Sequence, residues 1–403
     1  MSDGLLAGLR VLDLSPLYAG ALAAAMFADL GAEVIAVEHP KSGSPMRTML
    51  PQKEGESMWW KVMARGKRAV TIDLSTAAGQ DLARRLAAEA DVVFENFRPG
   101  TLERWNLGPD DLEKVCERLV MVRISGYGQT GPLRDRPGYG TVAEAMSGFA
   151  NLNGEPDGPP AFPSVSLADG IAATFGALGA AAALLSGRLR DGEAGVQVVD
   201  VALFEALFRL IPVQIPAYDQ LGLNMRRPGN FLGSHGVLRN LYESADDVYF
   251  IVSAIGPEPI RRILKGAGAE ELAAEVDAGV AAGGATFEGF LGRADEAVER
   301  WARTVPWERI AARMDEAGAV YQRVYDPAAI VEDEQFAARG DLVTVPDPDL
   351  GPMLMPGVVP KFHGRDHRVR HAGPRKGEHN REVYAELGFD QGDLDRLTEE
   401  GVI

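Results

Sequence analysis

Two places in the sequence combine chemically useful residue types with a useful position. Asn96-Phe97-Arg98-Pro99-Gly100 follows an apolar run at residues 92–94, which sets it at the carboxyl end of a strand, where open α/β sheets receive ligands. Arg98 and Arg104, with Lys67 and Arg68 from a second loop, offer the charge-assisted hydrogen bonds that hold phosphates. A solvated turn explains the same residues equally well. Asp169 stands just before a long apolar stretch, the ordinary place of a helix N-cap. The same place serves chemistry, because unsatisfied amides and the helix dipole keep a carboxylate ionised and available as a nucleophile. On pattern alone the cap is the better reading.

Other constellations carry less. The turn Leu14-Ser15-Pro16-Leu17-Tyr18-Ala19-Gly20 lacks the glycines that let a backbone approach a pyrophosphate, so Glu38, placed where a ribose-binding acid would sit, does not make a dinucleotide site. His363, His367 and His371 are spaced by four, as metal ligands on a helix would be. Gly364, the intervening arginines and Pro374 break that helix and leave an exposed basic connection, so no metal is expected. Cys116 has charged neighbours and no nearby histidine, which makes it a packed or surface thiol rather than a nucleophile. Ser164, Ser166 and Ser234 lack a nucleophile elbow.

The elements that must position these residues alternate. Residues 10–14 read as a buried strand, 19–30 as an Ala-rich helix and 33–38 as a strand, a βαβ unit. A strand at 69–74, a helix at 75–89, a strand at 91–94, a helix at 109–118 and a strand at 119–124 continue the pattern, with Ser75 and Asp110 as caps. The expected class is α/β, a parallel sheet with helices on both faces. A helix from 169 to about 185, a strand at 196–199 and a helix at 204–211 follow, then an exposed connection at 220–236. Beyond it, a strand at 247–253 and a helical stretch at 258–317 suggest a smaller domain. Residues 326–375, punctuated by Pro and Gly, read as extended, and two short helices close the chain near 380–387 and 391–399.

Composition narrows the function. The 403 residues carry 41 basic and 58 acidic side chains, a formal charge of −17, and such a field repels polyanions, so nucleic acid is not an expected partner. A small anion is still compatible, because a few local cations in a cleft outweigh a distant surface field. One cysteine permits no internal disulfide and fits the reducing cytoplasm. The N-terminus has no basic region of a signal peptide, and the uncharged residues 170–187, rich in Ala and Gly, read as a packed buried helix rather than a membrane span.

In this order, the pieces resemble the family III CoA-transferases (the CaiB/BaiF type), whose superfamily also contains α-methylacyl-CoA racemase. The resemblance covers essentially the whole chain. It is carried by Gly8-Leu9-Arg10-Val11-Leu12-Asp13-Leu14-Ser15, Ala28-Asp29-Leu30-Gly31-Ala32-Glu33-Val34-Ile35, Gly66-Lys67-Arg68 and Asn96-Phe97-Arg98-Pro99-Gly100 with Arg104. Ser125-Gly126-Tyr127-Gly128-Gln129-Thr130-Gly131-Pro132, Leu167-Ala168-Asp169-Gly170, Arg227-Pro228-Gly229-Asn230 and Gly377-Glu378-His379 complete it.

The resemblance implies a Rossmann-like large domain made from both chain ends, a smaller α+β domain from the middle, and an interlocked homodimer. The corresponding bounds are 1–200 for the large domain, 201–235 for a linker, 236–325 for the small domain and 326–403 for the return. It also implies that Asp169 is the catalytic nucleophile, attacking an acyl-CoA thioester with backbone amides beside it as oxyanion donors and water excluded. His39, Lys67, Arg68, Asn96, Phe97, Arg98 and Arg104 would hold CoA, and Gly126, Tyr127, Gln129 and Tyr139 would border the acyl group. CoA enters as part of substrate and product, with no tightly bound cofactor and no membrane.

Three departures from the family's patterns shape the expectation. Gly138-Tyr139-Gly140 stands where the racemase branch has Gly-His-Asp, and a phenol, ordinarily near pKa 10, is a poor second base for racemisation. Ser253-Ala254-Ile255-Gly256-Pro257-Glu258 stands where the formyl-CoA and oxalate branch has a glycine-rich loop, and His39 replaces a frequent Arg, with Lys41 nearby to take over its contact. Transfer of CoA from an acyl-CoA donor such as succinyl-CoA to a carboxylic acid is the expectation; a 2-methylacyl-CoA racemase or a non-catalytic CoA-binding protein are the alternatives.

Overall fold

The computed structural model describes residues 4–189, 195–365 and 368–403; His367 of the spaced histidines lies outside the described residues. Six strands build the main sheet: β1 (Arg10–Asp13), β2 (Glu33–Glu38), β3 (Arg68–Thr71), β4 (Val92–Glu95), β5 (Arg118–Ser125) and β6 (Gly195–Ala202). All neighbours are parallel, in the order β3-β2-β1-β4-β5-β6. Winding proceeds outward from β1 in one direction and from β4 in the other, so the loops leaving the carboxyl ends of β1 and β4 diverge and open a crevice.

Both faces of the sheet are covered, which is why its strands read as apolar runs. The helices that matter for the site are α1 (Tyr18–Asp29), α2 (Ala77–Ala88), α3 (Gly140–Met146), α4 (Leu167–Leu189) and α5 (Leu203–Phe208). Val11, Val34, Phe94 and Val122 pack under Ala19, Ala23 and Ala24 of α1 and Ala172, Ala173 and Ala180 of α4. Small side chains let α4 approach closely: a Cβ added at Gly179 would come 2.6 Å from Val199. By length and composition α4 could cross a membrane; one side of it, with Ala168, Ala172, Ala173 and Ala180, is fully buried, while Leu178 and Leu185 are exposed, so the helix is packed on one side rather than buried throughout as its composition suggested.

Leu12, Ile35, Val70, Val93 and Met121 form the opposite face, covered by Leu82 and Leu86 of α2 and by Val383, Tyr384, Leu394, Leu397 and Ile403 from the end of the chain. The last helices, Asn380–Glu386 and Gln391–Glu399, therefore return to the first half of the sequence. Their approach also closes the free edge of β3: His379 Nδ1 accepts from Ala69 N–H at 3.1 Å, Asn380 Oδ1 from Thr71 N–H at 2.9 Å, and the Tyr384 hydroxyl donates to Thr71 O at 2.7 Å. These side chains satisfy backbone groups that an open edge would expose.

The chain forms two compact units, one from Met1–Phe149, Pro163–Pro212 and Glu334–Ile403, the other from Ala150–Phe162 and Val213–Asp333. Against the bounds read from sequence, the large unit runs on to 212, yields 150–162 to the small one and resumes at 334. The small unit has a three-stranded antiparallel sheet of β7 (Val237–Glu243), β8 (Tyr249–Ile255) and β9 (Tyr321–Arg323), in the order β9-β8-β7. Four helices, Pro257–Gly266, Glu270–Ala282, Gly284–Ala302 and Trp307–Glu316, bury their apolar stripes with it. Strand β7 has no counterpart in the sequence reading, because polar residues separate its buried Leu238 and Tyr242.

Local readings differ in detail. Thr76, not Ser75, caps α2, accepting from Gly79 N–H at 3.0 Å. The helix expected at 109–118 stops at Pro109–Leu112 and has no side-chain cap, so Asp110 caps nothing. The extended stretch after 326 contains two short helices and a hairpin of Leu342–Val345 with Met353–Pro356.

Candidate active site

The crevice predicted by the strand order is a cavity of about 200 Å³ in the large unit, lined by residues from the loops after β1, β4 and β5 and from the first turn of α4. Leu17, Asn96, Phe97, Arg98, Ser125, Gly126, Arg134, Arg136, Gly138, Tyr139, Asp169 and Leu203 all face it. A volume below the ~300–1,000 Å³ that encloses a drug-sized ligand suits the reacting end of a long molecule, with the remainder lying outside.

Buried charge fixes the loop after β4. The buried Glu95 ends that strand; its Oε2 accepts Phe97 N–H at 2.8 Å and its Oε1 accepts Arg123 Nε at 2.7 Å. Arg123 reaches on to Glu103 at 2.7 Å. Phe97 meets Trp105 edge-on at 5.2 Å, and Gly100, at φ +79°, makes the turn that a Cβ would strain. Asn96 donates to Leu17 O at 3.2 Å, joining this loop to the one after β1. Its Oδ1 and the Ser125 hydroxyl are buried with no hydrogen-bond partner among the described residues, so both remain available to a ligand.

Glycines bring the loop after β5 close. A Cβ on Gly126 would lie 2.9 Å from Gly138 Cα, and one on Gly140 would lie 2.1 Å from Asp169 Oδ2. The nucleophile candidate therefore rests directly over a residue with no side chain. Asp169 lies in the first turn of α4, which begins at Leu167, so it is not the cap that its sequence position suggested. Burial pushes its carboxyl up to about 6, the charge of Glu144 adds to the rise, and its own backbone N–H opposes it. Tyr18 stands nearby, its phenol pushed up by burial and by the Asp169 charge, with its ring edge-on to Trp59 at 5.2 Å. Two cations at the cavity, Arg98 and Arg136, have no carboxylate partner among the described residues; Arg134 has only its neighbour Asp135, at 3.5 Å.

A profile of CoA-transferase family III matches residues 6–380. The chain belongs to that family. It is 39% identical over 396 residues to succinyl-CoA–D-citramalate CoA-transferase of Chloroflexus aurantiacus, covering 98% of this chain and 97% of the relative. The beta subunit of succinyl-CoA–L-malate CoA-transferase from the same organism is 34% identical, covering 99% and 98%. Among solved structures, a CaiB/BaiF family protein from Brucella suis superposes with a TM-score of 0.83 at 28% identity, covering 96% of this chain and all of that one.

In this CoA-transferase the residues singled out from sequence fall into two groups. Asn96, Phe97, Arg98, Gly126, Tyr139 and Asp169 meet at the cavity. The others do not line it. Lys67 is buried, its Nζ 2.8 Å from Asp13 Oδ2 and 2.7 Å from Ala21 O, a structural ion pair between β1 and the turn before β3. Arg68 turns to Glu33 at 2.6 Å and Glu386 at 2.8 Å, in a cluster that includes Arg10. Tyr127 is buried beside Phe204, and Gln129 N–H is held by Asp200 at 2.9 Å, so both brace the loop rather than border the cavity. His39, at the carboxyl end of β2, receives the N–H groups of Lys41 and Ser42 at 3.1 and 3.3 Å. Arg104 is exposed one turn beyond the Asn96 loop and donates to Thr101 Oγ1 at 3.0 Å.

Glu38, the apparent ribose acid, is committed to Arg47 at 2.6 Å and to Ser44 N–H at 2.8 Å. Cys116 is buried, its thiol pushed up to about 11 by that burial. Among the described residues no cluster of His, Cys, Asp and Glu is placed to hold a metal. Sequence reading passed over Tyr18, Arg134, Arg136 and Glu144. The glycines at 126, 131 and 138 were the available signal for the arginines: Gly126 and Gly138 meet at the base of the loop and Gly131, at φ +83°, turns the chain between them. Glu144 gave none.

Proposed function

We propose that this CoA-transferase moves CoA from an acyl-CoA donor of the succinyl-CoA kind to a carboxylic acid through covalent intermediates on Asp169. The observation that carries the reading is the Asp169 carboxylate, half-buried and without a cationic partner among the described residues, in a cavity bordered by Arg98 and Arg136. The donor class follows the relatives that use succinyl-CoA; the relatives' own acceptors differ from each other, and the acceptor here is a carboxylic acid of similar small, polar kind.

An Asp169 oxygen attacks the thioester carbonyl, the C–S bond breaks, and CoA thiolate leaves an aspartyl–acyl anhydride. The thiolate then attacks the aspartyl carbonyl, releasing the first carboxylate and forming an aspartyl-CoA thioester. An incoming carboxylate displaces the thiolate to make a second anhydride, and attack at its acyl carbonyl yields the new acyl-CoA and free Asp169. Two activated intermediates replace one difficult exchange between carboxylates. With its carboxyl at about 6, Asp169 is mostly ionised at neutral pH and more basic than an ordinary aspartate. Gly126, Gly138 and Gly140 keep side chains away from the reacting carbonyl; the Ser125 hydroxyl is free to donate to the substrate, and Asn96 Oδ1 to accept an N–H of the CoA chain.

Arg98, Arg104, Arg134 and Arg136 supply the positive charge for the CoA phosphates, with Asn96 and Phe97 along the chain of the molecule and Tyr139 at the acyl end. Lys67 and Arg68, engaged with Asp13 and with Glu33 and Glu386, are left out of that set. An interlocked homodimer is part of the proposal. Leu178, Leu185 and Phe208 are exposed on the large unit at 62%, 58% and 43%, which supports an apolar partner surface there. A cytoplasmic location fits the single, buried thiol.

The test is a panel of acyl-CoA donors against carboxylic acids, read by mass spectrometry, with wild-type enzyme and Asp169→Asn. Exchange by the wild type and none by the variant is expected. Turnover by Asp169→Asn at more than a hundredth of the wild-type rate would refute the mechanism. Deuterium entering the α-carbon of a 2-methylacyl-CoA with no acceptor acid present would instead point to racemisation.

A further inference from the structure

The small unit holds a cavity that the proposed reaction does not use. It measures about 390 Å³ and lies between the segment 150–162, the start of the helix Gln214–Leu221 and the chain from residue 225 to 239. It shares no lining residue with the cavity at Asp169. Hydrogen bonds to the backbone fix its walls. Arg227 Nε donates to Glu155 O at 3.0 Å and to Gly158 O at 2.8 Å, Asn151 Nδ2 to Met225 O at 3.2 Å, and Ala161 N–H to Asn153 O at 2.9 Å. Gly229, at φ +74°, lets the two segments touch: a Cβ there would come 3.1 Å from Pro156 and 3.2 Å from Glu155 Oε2. The walls are therefore set without a ligand.

Its polar lining is only partly satisfied. Arg261, Arg262, Arg293, Arg300 and Arg303 of the same unit each pair with a carboxylate. Arg226 and Arg239, which both line the cavity, have no carboxylate partner among the described residues. Arg239 engages only its Nε, with Asn230 O at 3.4 Å, which leaves its two terminal nitrogens for a ligand. Gln214 lines the cavity too, its Oε1 buried with no donor among the described residues. The exposed carboxylate of Glu155 is a second oxygen acceptor there, and His235 completes the set with its Nδ1 shared with Ser234 Oγ at 3.1 Å. Two guanidinium donors and two oxygen acceptors thus border one space.

We infer that this cavity binds a small hydroxy-dicarboxylate, with its carboxylates on Arg226 and Arg239 and its hydroxyl donating to the Gln214 or Glu155 oxygen. The ligand class follows from what each group lacks. A guanidinium matches a carboxylate through two parallel N–H···O bonds, and two such cations outweigh the one acid at Glu155. A plain dicarboxylate carries only acceptors at neutral pH. It would leave Gln214 Oε1 without a donor and set a like charge against Glu155. A hydroxyl supplies the donor that is missing. At about 390 Å³ the space takes a short-chain acid with water beside it, whereas an inorganic phosphate would leave most of it to water. The inference concerns binding, and it stands whether or not Asp169 is the nucleophile.

The experiment is calorimetric titration with malate, with succinate, which lacks the hydroxyl, and with inorganic phosphate. It is run on an Arg98→Ala/Arg136→Ala protein, in which the cavity at Asp169 has lost its two unpaired cations. That protein should still bind malate, with succinate about five-fold weaker and phosphate weaker again. Adding Arg226→Ala or Arg239→Ala should weaken malate by about tenfold or more, the loss of one charge-assisted contact, and Arg239→Lys should lose less than Arg239→Ala. Malate binding that disappears in the Arg98→Ala/Arg136→Ala protein, or that survives both Arg226→Ala and Arg239→Ala, overturns the site. Succinate or phosphate binding as tightly as malate overturns the ligand class. Hydrogen–deuterium exchange of the wild-type chain decides without any substitution: malate should protect amides within residues 150–162 and 225–239, and no protection there at millimolar malate overturns the proposal.

Discussion

Replacing Asp169 by Asn should make the protein more stable at neutral pH, and the gain should vanish in acid. Folding carries this carboxyl from its ordinary 3.8 to about 6. At about 1.4 kcal/mol for each pH unit of displacement, the ionised group costs the folded state about 3 kcal/mol, an upper figure because the amide must still fit over Gly140. The sign follows from proton binding. Between pH 3.8 and about 6 the folded state holds the proton more tightly than the unfolded chain, so stability falls as pH rises through that window. Above it the penalty is complete; below it both states are protonated and the penalty is gone. An isosteric amide carries none of this cost. For a chain of 403 residues, an unfolding entropy of about 2.1 cal/mol/K per residue converts about 3 kcal/mol into a rise of about 3–4 °C in Tm. The assay is differential scanning calorimetry of both proteins at pH 7 and pH 4, at one protein concentration so that any association contributes equally. A variant no more stable than wild type at pH 7, or equally stabilised at pH 4, would refute the assignment of a raised carboxyl to this site.

Other outcomes follow from the same geometry. Gly140→Ala places a Cβ 2.1 Å from Asp169 Oδ2, so kcat/KM should fall by about 10²-fold or more with an unchanged circular dichroism spectrum; near-normal activity would mean the carboxylate does not rest there. Arg98→Ala and Arg136→Ala should each raise KM for acyl-CoA by about ten- to a hundred-fold, the loss of one charge-assisted contact of about 1.5–3 kcal/mol, and leave kcat close to wild type; initial-rate kinetics at low and high salt would check this. Lys67→Ala leaves buried Asp13 without its cation and should cost about 3–5 kcal/mol of stability, read by urea denaturation, whereas a contact with CoA would instead show chiefly in KM.

The sheet was legible because burial on both faces turns each strand into an apolar run, and because α1 is Ala-rich and α2 keeps a 3.6-residue stripe. Helix α4 announced itself by its Ala and Gly content, which serves the close approach at Gly176 and Gly179. The Asn96 loop was legible too, since an open parallel sheet puts its ligand at the carboxyl ends of strands. What was not legible is who pairs with whom at long range. Lys67 looks the same in sequence whether it faces a phosphate or, as here, an aspartate 54 positions earlier. Arg68 is likewise claimed by Glu386, 318 positions on. Asp169 reads as a cap because local pattern cannot register that the helix already begins two residues earlier, at Leu167. The resemblance to a known family supplied the role proposed for Asp169; only the folded arrangement supplies its electrostatics.

The central claim is a covalent aspartyl intermediate, and borohydride tests it most directly. Wild-type enzyme incubated with an acyl-CoA donor and then reduced should carry, at position 169, homoserine in place of aspartate, because hydride converts an aspartyl thioester or anhydride to the alcohol. Peptide mass spectrometry should find that residue only when donor is present, and never in Asp169→Asn. Active enzyme whose Asp169 peptide stays unreduced, or a reduced residue elsewhere in the chain, would contradict the account.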